Sequence, residues 1–70
     1  MKSSTNFPDK DYNLISVLYH VLKGADKCDT YIRDAEKEGD HELAEFFVET
    51  KKKYMEVAEE AKKLAAGRIS

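Results

Sequence analysis

One interruption near the middle of the chain decides most of what it can fold into. From Asp9 to Lys37 there is no proline and a single glycine, and from His41 to Ala66 there is neither. Between these stretches stands Gly39-Asp40. Glycine ends a helix readily because it adopts the left-handed conformation, and aspartate is a favoured N-cap for the next helix. Gly67 offers a similar stop after the second stretch, leaving 68–70 as a frayed end. Residues 1–8 contain the only proline and the polar run Ser3-Ser4-Thr5-Asn6, so a disordered tail is expected there. The chain therefore reads as one domain over 9–67. A first helix is predicted over about 9–37, a turn at 38–40 and a second helix over about 41–66.

The hydrophobic period agrees. In the first stretch Leu14, Leu18, Val21, Ala25, Cys28, Ile32 and Ala35 alternate steps of four and three, as do Leu43, Phe47, Thr50, Tyr54, Val57, Ala61 and Leu64 in the second. That is the spacing of helices packed side by side. Asp29/Arg33, Glu49/Lys53 and Glu59/Lys63 are four apart, the separation at which ion pairs support a helix. A turn this short makes the two helices antiparallel, so the expected fold is an all-α helical hairpin.

A lone hairpin buries one stripe per helix, and chains of this size seldom gain more than about 3–5 kcal/mol from their own core. This chain has apolar surface left over. Tyr12, Ile15, Tyr19 and Leu22 form a second stripe on the first helix, and Phe46 and Phe47 add aromatic surface to the second. These six are the candidate interface residues. The expectation is a homodimer, two hairpins making a four-helix bundle. An amphipathic face does not name its partner, so a larger protein whose bundle the hairpin completes is the other candidate.

Composition removes other classes. Twelve basic and 14 acidic residues leave a net charge of −2, which gives no broad field for nucleic acid. Lys51-Lys52-Lys53 is the longest basic run, but on a helix it spreads over most of a turn between Glu49 and Glu56. No apolar run approaches the roughly 18 residues that span a bilayer, and the start of the chain lacks the apolar stretch of a secretory leader. One cysteine makes no internal disulfide, so a reducing cytoplasm is the expected compartment. No nucleophile elbow, glycine-rich phosphate loop or Cys/His metal spacing is present. A non-enzymatic interaction or accessory protein without cofactor is the expected role.

Around the turn, Tyr31, Ala35, Lys37-Glu38-Gly39, Leu43-Ala44, Phe47 and Glu49-Thr50 resemble the helix-turn-helix half of the ferritin-like superfamily, most closely rubrerythrin-type proteins. The likeness runs without gaps from about Val21 to Ala58. It also resembles short bacterial proteins of two-helix size. The resemblance implies a ferritin-like four-helix bundle holding a pair of irons, each half giving one glutamate and a Glu-x-x-His. Carried onto this chain, those ligand positions fall on Val21, Tyr54 and Val57. Valine coordinates nothing, so the resemblance supports the fold and argues against a metal centre. The alternative it leaves is a cryptic iron site shared between subunits, built from Asp26, Glu49 and Tyr54.

Among single residues, Cys28 falls in the seam and reads as a small buried hydrophobe. His20 and His41 read as surface histidines. Asp26 continues the Tyr12–Leu22 stripe, where a half-buried position at the dimer interface is expected.

Overall fold

The computed structural model describes residues 9–68; the expected tail at 1–8 and the last two residues lie outside the described residues. Two helices account for them, α1 (Asp9–Lys37) and α2 (His41–Arg68), packed against each other as an antiparallel hairpin.

The turn is built as the sequence requires. Gly39 takes φ +73°, the left-handed conformation that favours glycine. The Asp40 amide donates to the Ala35 carbonyl at 2.9 Å and the Gly39 amide to the Glu36 carbonyl at 3.0 Å. These two bonds satisfy the last carbonyls of α1 in a Schellman arrangement. Asp40 then caps α2: the Leu43 amide donates to its Oδ1 at 3.1 Å, leaving one fewer orphan donor in the first turn. Asp40→Ala is expected to cost about 1 kcal/mol, lowering the melting midpoint by about 4–8 °C in a chain of this size. Thermal circular dichroism checks it, and an unchanged midpoint would show that the cap is not stabilising. At the other end α2 runs through Gly67 to Arg68, two residues beyond expectation. Among the described residues Gly39 is the glycine with positive φ, so Gly67 stays helical and does not act as a stop.

The seam along α1 matches the expected stripe: Leu14, Leu18, Val21, Ala25, Cys28, Ile32 and Ala35 are all buried or half-buried. On α2 the seam is rotated by about one residue. Leu43, Val57 and Leu64 are exposed, while Ala44, Ala58 and Ala65 beside them turn inward with Phe47, Tyr54 and Ala61. The reason is steric. Small side chains let two helices approach at the short end of the usual 8–10 Å interaxial range, and the larger residues are displaced to the flanks. Among the described residues the buried apolar side chains are Ala25, Cys28, Ala35, Ala44, Ala58 and Ala61, and no large side chain is fully buried.

The result is a plate one helix thick, 50 × 22 × 13 Å. An α-helix with its side chains is itself about 10–12 Å across. The radius of gyration is 15.6 Å, against about 11 Å for a globular domain of this length.

Candidate interaction surfaces

The seam fixes where the other side chains point. Each residue advances about 100° around a helix, so with Ala25 and Ala58 facing inward the exposed apolar residues divide between the two broad faces of the plate. One face gathers Val17 and Tyr31 from α1 with Leu43, Phe46, Val57 and Leu64 from α2. The other gathers Tyr12, Ile15 and Tyr19 from α1 with Val48 and Met55 from α2. All are exposed by more than a third.

Contacts support the division. On the first face the Tyr31 and Phe47 rings stand 5.4 Å apart, and Gly24, Lys27, Cys28, Phe46, Thr50 and Tyr54 are among the residues bordering one cleft between the helices. A second groove follows toward the turn, between Tyr31 and Leu43, and a third toward the open end, between Leu14 and Leu64. On the second face Lys51 Nζ donates to Asp29 Oδ1 at 2.7 Å, and Lys51, Met55 and Glu59 border a shallow depression.

The faces differ in charge. The same helical arithmetic puts Asp26, Asp29 and Arg33 of α1 and Lys51, Lys52, Glu59 and Lys62 of α2 on or beside the second face. On the first face the charged groups bordering the grooves are Lys27 at the central cleft, Asp34, Glu38 and Asp40 toward the turn, and Lys10, Asp11 and Arg68 at the open end, so most of its charge lies toward the two ends. Its centre carries Gly24, Thr50 and Tyr54. The Thr50 hydroxyl donates back to the Phe46 carbonyl at 2.8 Å, so its polar atom is already satisfied and its methyl group can be covered without loss.

The six candidate interface residues therefore do not share one surface. Tyr12, Ile15, Tyr19 and Leu22 belong to the charged face. Phe46 belongs to the less charged one, and Phe47 is half-buried between the helices beside Tyr31. Asp26 is exposed on the isolated chain. The cryptic metal residues also diverge within one chain. Asp26 lies on the charged face, and Tyr54 lies over Gly24 in the cleft. Glu49 points away from both faces and pairs with Lys52 at 3.5 Å. Among the described residues no group of three His, Cys, Asp or Glu side chains is placed to hold a metal ion. Of the positions matched to iron ligands, Val21 and Tyr54 face the seam, while Val57 lies outside it. Cys28 is a buried free thiol and both histidines are exposed, His20 against the edge of Tyr19.

Sequence reading missed three contacts that depend on register between the helices. A Cβ built on Gly24 would meet Tyr54 Cε2 at 2.9 Å, so the glycine makes room for the ring. Asp11, mostly buried at the open end, faces Arg68 at 3.8 Å. Lys51 bridges to Asp29, and that hydrogen bond, with the attraction of the carboxylate, raises the ammonium above its ordinary value of 10.5. A raised lysine contributes while protonated and loses that contribution only as pH climbs through the shifted value. The bridge therefore adds no pH dependence near neutrality. Its signal in sequence is faint: a lone inward lysine at the position where the seam is otherwise apolar.

No described helix is long and apolar enough to cross a membrane. A comparison of the chain with protein-family models, with curated proteins and with solved structures finds no match.

Proposed function

We propose that this chain is a small non-enzymatic interaction protein that works as a homodimer, two hairpins closing into a ferritin-like four-helix bundle without a metal centre. The observation that carries the proposal is the thickness of 13 Å. Folded domains are built from at least two packed layers, because one layer cannot remove its apolar side chains from water. Here every large apolar side chain of the described residues keeps some exposure. The chain exposes 5579 Å², whereas a globular monomer of this mass exposes about 4,500 Å². The excess is comparable to the roughly 800 Å² that each partner buries in a standard interface. A second layer supplied by another copy removes it.

In this reading the accessory role follows from symmetry. A twofold dimer presents its remaining apolar and charged groups twice, and the Tyr12–Ile15–Tyr19 stripe on the outer face is a surface for a further protein partner. Val21 and Val57 leave the bundle interior without hard ligands at those layers. The lone thiol fits a reducing cytoplasm.

Native mass spectrometry of the untagged chain tests both parts. The expected spectrum shows twice the chain mass with nothing added. A monomer at all concentrations from 1 to 100 μM, with helicity intact, overturns the dimer. One or two irons per dimer after aerobic purification overturn the metal-free interior.

A further inference from the structure

Resting on the dimeric reading above, we infer that two copies stack through the first, less charged face in antiparallel fashion, α1 on α1 and α2 on α2 of the second copy, with the twofold axis at the level of Gly24 and Tyr54. Three independent features of the chain point to this arrangement.

The first is charge depletion. Interface cores are poor in charged residues, while rims tolerate them. Of the two faces this one is the poorer in charge along its centre, where Lys27 alone of the charged residues borders the cleft, and the Thr50 hydroxyl there is satisfied at home. Phe46, 61% exposed, is the kind of aromatic anchor that dominates such contacts.

The second is the symmetry of the pattern. Along this face α2 repeats every seven residues as Leu43, Thr50, Val57 and Leu64. Laid antiparallel on itself, this ladder pairs Leu43 with Leu64 and Thr50 with Val57, about a centre between residues 53 and 54. Along the same face α1 repeats as Lys10, Val17, Gly24 and Tyr31. Laid antiparallel about Gly24, it pairs Tyr31 with Val17. The two centres coincide in the fold, because Gly24 and Tyr54 touch. One twofold axis thus serves both ladders, and the smallest residue sits where the two copies of α1 cross.

The third is the charge along the plate. The turn end, residues 34–45, holds six acidic residues and one lysine. The open end, residues 9–12 with 62–68, holds four basic and two acidic residues. Antiparallel stacking sets each acidic turn against the basic open end of the other copy. Stacking with both turns at one end would place like charge on like charge, which costs specificity and affinity.

The test uses single cysteines on this face in the full chain carrying Cys28→Ala. Thr50→Cys and Val57→Cys are purified separately, then each alone and the two together are unfolded in urea, refolded and oxidised. The expected result is an interchain disulfide dimer in the mixture, at least tenfold above either variant alone. Comparable crosslinking of each variant alone places equivalent residues together and overturns the antiparallel register. No crosslink in the mixture, with a dimeric mass retained and Tyr19→Cys crosslinking to itself, assigns the interface to the charged face and overturns the inference while the dimer stands. No crosslink with a monomeric mass for the parent chain overturns both.

Discussion

Replacing Ala58 by leucine is expected to destabilise the hairpin strongly. Ala58 is 0% exposed at the centre of the seam, held against α1 by a row of alanines. The added carbons have no cavity to enter. They must push the helices apart and loosen the seam on either side of this position. Overpacking of this kind costs about 1–3 kcal/mol, against the roughly 3–5 kcal/mol that a core of this size supplies. The expected fall in melting midpoint is about 10–20 °C. Ala66→Leu is the control, an exposed alanine on the same helix, expected to stay within about 0.5 kcal/mol of the parent. Urea titration followed by helicity measures both. Equal midpoints for the two variants would show that the small-residue seam does not hold the helices together.

That prediction also marks what the sequence hides. On α1 the large apolar residues and the inward-facing ones belong to the same stripe, so hydrophobic period finds the seam directly. On α2 the apolar sector is wide, and period follows its largest members, Leu43, Val57 and Leu64. The buried residues are the alanines next to them. Period weighs hydrophobicity, whereas close approach of two helices selects for small volume, and here the two criteria differ by one position. The turn was legible because Gly39 and Asp40 act through their own backbone and side chain, without tertiary help. The salt bridges were less so. Glu49 and Glu59 pair three residues ahead, with Lys52 and Lys62, rather than four. Asp29 leaves its expected partner Arg33 and crosses to Lys51, a choice made by register between helices. The surplus of apolar surface was readable from composition and period. Its division into a more and a less charged face was not, because that division follows from the rotation of α2.

The two faces can be separated by one pair of substitutions, both at residues exposed in the hairpin, so neither disturbs the seam. Val57→Lys places a charge at the middle of the less charged face, and Tyr19→Lys places one on the other. In a twofold dimer each substitution enters the interface twice. A lysine buried without a partner is strongly unfavourable, and even after its ammonium reaches toward water the covered stem must be ordered. Val57→Lys is therefore expected to weaken self-association at least about 100-fold, equivalent to about 2.7 kcal/mol, and to leave a monomer at 10 μM. Tyr19→Lys is expected to keep the parent mass, since its face already accommodates Asp26, Lys52 and Glu59 in water. Sedimentation equilibrium reads the association, with circular dichroism alongside to confirm that both chains remain helical. The reverse outcome, a monomeric Tyr19→Lys beside a dimeric Val57→Lys, would assign assembly to the Tyr12–Ile15–Tyr19 stripe. In that case the less charged face is the one left open for a different partner. Loss of helicity in Val57→Lys on dissociation would carry a further consequence: the alanine seam alone is too weak to hold the hairpin, and folding and assembly of this chain are a single event.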